Sequence, residues 1–470
     1  MKLAALVLAL TAVLWGKSKP TEKSFVFTNV NIIDVRDGSI KLHLTVVVKN
    51  GRITGIAPIG LIEESRNTTV VNASGKYLIP GLWDMHVHTG FSDPVWDEKL
   101  LYPLYIANGI TGIRDMGGVP DVLEQRRQHI ERGEVLGPHI VMGGPFLVGG
   151  KSDSQSIAVN TPDEARSAVD SLKKRHVDFI KILSSIPRDA YFAIAEESKK
   201  DHLSFVGHVP FSVSVAEASN AGQKSIEHLT GFALAVSSQE GSLREQILKS
   251  SATHERAAYF AASRTASDTY DPAKAASLIT LLAKNRTWQV PTLVWTRTQA
   301  DIAKDPPEAD SPLKYVPASI RKQWDPTVVA GNISAEQRAE YKRDAEQAPA
   351  IVKRMEQAGV CFLAGSDGPD PMVIPGFSLH RELELLVESG FSPLQALQAA
   401  TLNPALFLAM EKYGAVEKGH VADLVLLDEN PLLDIHNTRK IAGVMVDGKY
   451  HSREELDRVL AGIAEQGILH

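Results

Sequence analysis

Two histidines separated by one residue are the first sign of chemistry. Residues 82–88, which contain Asp84-Met85-His86-Val87-His88, read as an extended strand, and positions i and i+2 of a strand share a face. His86 and His88 then project together, and two imidazoles so placed can chelate one borderline cation such as zinc. Two loop histidines would show the same spacing. Lys181 lies between Ile180 and Ile182 in the apolar segment 179–183. Burying its charge there is costly. Either its ammonium snorkels to the strand end, or its amine is neutral and has reacted with carbon dioxide. The resulting carbamate is an anion with two oxygens that can bridge two cations, and burial favours the neutral amine it needs. His208 and His228 end the short apolar segments 204–208 and 225–228, one strand–helix unit apart. Asp367 follows the segment 361–366. A carboxylate there can hold a metal or take a proton from water, although Asp-Gly is also a common turn pair.

These side chains need a scaffold. Segments 82–88, 112–115, 139–142, 179–183, 204–208, 225–228, 289–293 and 361–366 read as eight strands, most of them followed by helical stretches. Thr161-Pro162-Asp163-Glu164 is a capping box with proline at the first helical position, and Ser392-Pro393 and Asn403-Pro404 begin helices by the same logic. Such alternation predicts an α/β fold with a parallel sheet, and eight units predict a closed (β/α)8 barrel of the TIM type. Catalytic groups of these barrels sit at the C-terminal strand ends, where the histidines and Asp367 fall. Before the barrel, residues 25–30, 44–49 and 53–57 read as strands, with Asp37-Gly38 and Asn50-Gly51 as hairpin signals. Similar strands return at 422–427 and 441–446. A small β-sandwich built from both ends of the chain is expected. Residues 231–350 exceed one barrel connection and read as either a lid or surface helices. The expected division is a signal peptide at 1–20, the β-sandwich at 21–79 and 412–450, the barrel at 80–411 and a C-terminal helix at 451–470.

Composition narrows the class. The 470 residues are 44% hydrophobic and 23% charged, near globular averages. A net charge of −6 shows no basic footprint for nucleic acid. One cysteine, Cys361, excludes an internal disulfide and a cysteine-rich metal site, and it reads as core. The apolar run 3–15 after Met1-Lys2 is too short to span a membrane and has the form of a secretory signal. Export to a periplasm or beyond is expected, with no stable membrane insertion. Arg114-Asp115 reads as a structural ion pair or a substrate contact, His380 as surface, and His139 as lying at the wrong barrel end for catalysis.

Taken in order, the His86/His88 pair, Lys181, His208, His228 and Asp367, with flanking strands from both ends and a closing stretch at 414–427, resemble the amidohydrolase superfamily of metal-dependent hydrolases. The resemblance covers nearly all the chain after residue 20. Within it the chain is most similar to the imidazolonepropionase-like group that includes Xaa-Pro dipeptidases. This resemblance implies two divalent ions, expected to be zinc. His86, His88 and Asp367 would hold the more buried ion and His208 and His228 the more exposed one, with carboxylated Lys181 between them. It implies cleavage of amide bonds in small peptides or N-acyl amino acids by a hydroxide bridging the ions, with Asp367 as proton carrier and His228 beside the substrate. A homo-oligomer is expected. The residues around His208 and His228 differ from dipeptidase wording, so cyclic amides, lactones or esters are alternative substrates. A barrel that has lost catalysis is a third reading, opposed by six filled ligand positions.

Overall fold

A computed structural model describes residues 24–61, 68–90, 96–250, 255–302 and 312–469. The expected signal segment lies outside them. Strands β1 (Ser24–Ile33), β2 (Ile40–Lys49) and β3 (Arg52–Pro58) pair antiparallel in sequence, while β4 (Thr68–Asn72) and β5 (Tyr77–Pro80) pair parallel to β1. Asn50 and Gly51 turn from β2 to β3 with φ of 49° and 72°, the two positive values that make Asn-Gly suit a tight hairpin.

The barrel follows. Strands β6 (Leu82–Val87), β7 (Ile110–Asp115) and β8 (His139–Met142) run parallel, then β9 (Phe146–Val148) and β10 (Ser156–Ala158) form an extra pair. Strands β11 (Phe179–Ile182), β12 (Ser204–Gly207), β13 (Ser225–Glu227) and β14 (Trp288–Val290) continue the parallel order. Asp178 donates its amide to Met142 at 2.8 Å, joining the two sheets. The eighth unit differs from expectation: 361–368 is extended but makes only single bridges, to Gln289 and Val87. It still closes the ring, because Leu363 donates to Gln289, Met85 to Ala364 and Asp367 to His86. Inside the ring, Trp83, Met85, Phe179, Val206, Trp288, Val290 and Leu363 fill the floor. Ile180 and Ile182 face outward against helix residues Val169, Leu172 and Ile194. Period-two geometry therefore turns Lys181 inward with Phe179.

The capping boxes at Thr161 and Ser392 are both present. Asn403 does not cap a helix. The helix Leu402–Phe407 starts after Thr401, and Asn403 donates to the Phe362 carbonyl, tying the helix to the eighth segment.

The chain then returns through β15 (Leu424–Leu427), β16 (Ile441–Val446) and β17 (Lys449–Ser452). β15 pairs with β5, which joins both chain ends in one sheet of order β17-β16-β15-β5-β1-β2-β3. The strands expected to form a small β-sandwich from both chain ends are thus hydrogen-bonded into one curled sheet. Phe27 on β1 and Tyr450 on β17 are separated by three intervening strands, yet their rings are 5.4 Å apart. Leu424 and Leu426 enter the sheet's own core, whereas Val425 and Leu427 pack on the barrel. The final helix, Arg453–Leu469, sets Ile463 against Trp96, Leu101 and Leu104. Among the described residues no helix is long and apolar enough to cross a membrane.

Candidate metal centre

The six residues singled out above come from five barrel strand ends. β6 carries one extra residue relative to β7 between Asp84 and Val87, and a bulge of this kind re-aims the side chains beyond it. His86 and His88 both turn to Asp367: Nε2 of His86 lies 3.3 Å and Nε2 of His88 3.0 Å from its Oδ1. Ligand atoms of these three residues lie within 4.8 Å of one another. His228 stands across them, its ring 4.7 Å from that of His86 and 5.2 Å from that of His208. Lys181 is buried below.

Three of the histidines show one pattern. His86 Nδ1 bonds the Glu227 carboxylate at 2.8 Å, His208 Nδ1 bonds Ser184 Oγ at 3.0 Å, and His228 Nδ1 bonds Thr292 Oγ1 at 2.8 Å. Since the Thr292 hydroxyl donates to Pro291, it accepts from His228. Each Nδ1 is occupied, so Nε2 is the atom left for an ion, as in carboxylate–histidine–metal arrangements. Nε2 of His86 is buried and makes no hydrogen bond. A buried orphan acceptor, two further imidazoles and a carboxylate form a donor set that suits a divalent cation.

The electrostatics agree. Burial, and then the neighbouring Lys181, His228 and His88, hold His86 well below the usual histidine range, so its imidazole is neutral, the form a cation needs. Burial likewise lowers His228. Burial works against the Asp367 carboxylate, but His228, His88 and Lys181 outweigh it and hold the group below the ordinary range. Burial brings Lys181 down to about 8, where an appreciable share of neutral amine exists near neutral pH.

Several supporting residues were not legible in the sequence. Glu227 is fully buried, takes both Arg114 Nη2 bonds at 3.0 Å and fixes His86. Arg114 is therefore a structural partner, and it also donates to the Met85 carbonyl. A buried arginine and a buried glutamate need each other, but β7 and β13, which carry them, are not neighbours in the ring, so the sequence does not pair them. Asp84 accepts from the amide and hydroxyl of Ser366 and so places Asp367. Burial raises Asp84 to about 7. Two glycines make room. A Cβ on Gly207 (φ 127°) would meet the Ile182 carbonyl at 2.2 Å, and one on Gly365 would meet His86 Cβ at 2.7 Å. His139 sits away from the centre and pairs with Asp423. His380 corrects the surface expectation: it is buried, its Nδ1 against Thr438 and its Nε2 donating to the Asn108 carbonyl. The return segment covers the helix face that the sequence pattern leaves polar. Cys361 is half-buried against the barrel floor.

His208 and His228 form the base of a cavity of about 560 Å³. Its other walls include Arg244, Tyr259, Phe260, Trp295, Tyr341 and Asp344. Described residues of segment 231–350 therefore line the cavity at His208 and His228.

Comparisons with known proteins agree with this geometry. Residues 77–450 match the amidohydrolase family. The ochratoxinase of Aspergillus niger is 25% identical over 418 residues, spanning 76% of this chain and 71% of that protein. Among solved structures, bottromycin amidohydrolase superposes with a TM-score of 0.73 at 20% identity, covering 96% of this chain and 91% of that one. A Xaa-Pro dipeptidase with bound methionine in its active site gives 0.65 at 19% identity, covering 92% and 100%. At these identities the structures speak for the fold, a TIM-like barrel. The family match spans most of the chain and includes every candidate ligand, and the protein is a hydrolase that belongs to the amidohydrolase family.

Proposed function

We propose that the protein is a metal-dependent hydrolase that cleaves amide bonds of small peptides or N-acyl amino acids and holds two divalent ions. The observation that carries this reading is the convergence of His86, His88 and Asp367, with His228 beside them and His208 next to it, the last two lining a cavity. His86, His88 and Asp367 would hold one ion and His208 and His228 the other, and Lys181, if carboxylated, would supply a further anionic ligand. Mixed imidazole and carboxylate donors favour zinc. Bound ions supply Lewis-acid polarisation of the substrate carbonyl and a lowered pKa for water.

The chain's own residues do the rest. Glu227, Ser184 and Thr292 fix the imidazoles through Nδ1. The Asp367 carboxylate, mostly buried beside His86 and His88, takes a proton from water and passes it to the leaving amine. Residues 1–20 direct export, and N-terminal sequencing of the mature protein tests that point. The names of the relatives, an ochratoxinase and a Xaa-Pro dipeptidase, support small-molecule amides as the substrate class.

The deciding experiment measures amine release by the metal-loaded protein from Xaa-Pro dipeptides, other dipeptides and N-acyl amino acids. Release with a side-chain preference is expected. No release from any of them, with metal bound, overturns the linear-amide reading and moves the substrate to cyclic amides, lactones or esters.

A further inference from the structure

The cavity carries an aromatic lining that barrel closure does not require. The ring contacts form an unbroken series that starts at a candidate ligand. His228 lies 6.0 Å from Trp295, Trp295 5.5 Å from Tyr341, Tyr341 6.2 Å from Phe260, Phe260 6.1 Å from Tyr259 and Tyr259 5.0 Å from Phe211, centroid to centroid. Four of the five aromatic residues belong to the insertion 231–350, and all five line the cavity. Aromatic residues serving only as lid core would be fully buried. Phe211, Tyr259, Phe260 and Trp295 instead keep part of their surface accessible.

Trp295 is also held in place. Its indole N–H donates to Asp370 at 2.6 Å, and Gln299 donates to the same carboxylate oxygen at 3.1 Å. The plane of the ring beside His228 is thus set before a ligand arrives, which spares the cost of ordering it on binding. Arg244, one of two charged side chains on the wall besides the histidines, is already paired with Glu240 at 3.0 Å. The volume of about 560 Å³ lies in the range of pockets that take drug-sized ligands, more than a dipeptide of small residues fills.

We propose that this cavity selects amides bearing an aryl or similarly large planar group, seated against Trp295 and Phe260 while the scissile carbonyl lies at His208 and His228. The proposal rests on the amide-hydrolase reading. Its physical basis is that aromatic rings meet edge-to-face or offset with a preference beyond buried area alone, so a planar ring is favoured over a saturated ring of equal size.

The test compares N-benzoyl-alanine with N-cyclohexanecarbonyl-alanine, and N-acetyl-phenylalanine with N-acetyl-cyclohexylalanine, on the full metal-loaded protein. The aryl member of at least one pair is expected to show a tenfold or greater advantage in kcat/KM. Phe260→Leu and, separately, Trp295→Leu are expected to bring that ratio towards one. Equal rates within both pairs, or a ratio that neither variant moves, overturn the proposal. Calorimetric titration of the same compounds reads selection even where nothing is cleaved: tighter aryl binding by tenfold supports the cavity's role, and equal binding overturns it. Aryl-selective binding without amine release from any compound overturns the amide reading alone.

Discussion

His86 is constrained from both sides. Glu227 accepts a hydrogen bond from its Nδ1–H, and Asp367 stands 3.3 Å from its Nε2. Glu227 is in turn neutralised by Arg114. Removing one partner from such a buried pair costs about 3–5 kcal/mol, because the other charge is left uncompensated. The centre is thus oriented by residues that touch no substrate. Lys181 and Asp367 carry the two residue-level predictions. In Lys181→Ala the metal content, read by plasma mass spectrometry, falls below that of the parent protein while circular dichroism stays unchanged. Full metal content in the variant removes Lys181 from the centre. Asp367→Asn retains part of its metal and loses turnover by about 10²-fold or more, the scale of a positioned acid–base group. Near-normal turnover excludes Asp367 as the proton carrier.

The elements deliver these groups by bending at their ends. His228, Thr292 and Asp367 adopt left-handed backbone, with φ of 57°, 46° and 63°, a conformation costly for non-glycine residues and concentrated at functional sites. The turn at Thr292 brings its hydroxyl to His228. Its helix, Leu293–Asp301, is anchored by the Glu382 carboxylate, which accepts from the Val294 amide at 2.7 Å. At the opposite end of β8, His139 bonds Asp423 at 2.8 Å, linking the barrel to the segment that enters β15. Burial opposes its charge, but Asp423 and Asp447 outweigh it and lift His139 to about 9. The ordinary value is about 6.5, so the folded state binds this proton more tightly than the unfolded state. The stabilisation is complete below about pH 6.5 and is lost as pH rises to about 9. In thermal melts across that window, His139→Gln is expected to abolish part of the fall in Tm seen in the parent protein. Identical slopes would show that the pair does not couple the two parts.

At the scale of the whole molecule, one closed ring and one curled sheet share a boundary at β5 and β15. Described residues of segment 231–350 line the cavity that opens at His208 and His228. A site that holds the buried orphan Nε2 of His86 would gain stability from an ion that fills it, and ion binding to the folded state alone raises Tm with concentration. Chelation is expected to lower Tm and zinc addition to restore it, followed by scanning calorimetry. A Tm indifferent to both would mean that the histidines hold no ion in solution.

Apolar strand alternation, proline-started helices and the spacing of His86, His88, Lys181, His208, His228 and Asp367 are local properties. They therefore announce the barrel and its inward-facing groups without any coordinates. Glu227, Thr292, Ser184 and Asp84 act through partners that are 141, 64, 24 and 282 residues away. Their roles depend on which strand ends meet, and spacing carries no record of that. The same holds for His380, whose polar-looking face is covered by a segment 58 residues on. It holds for the sheet, too. Short strands with hairpin turns are compatible with two layers or one. The closure of β15 onto β5, which settles the matter, is a hydrogen-bonding choice made only when the two chain ends come together.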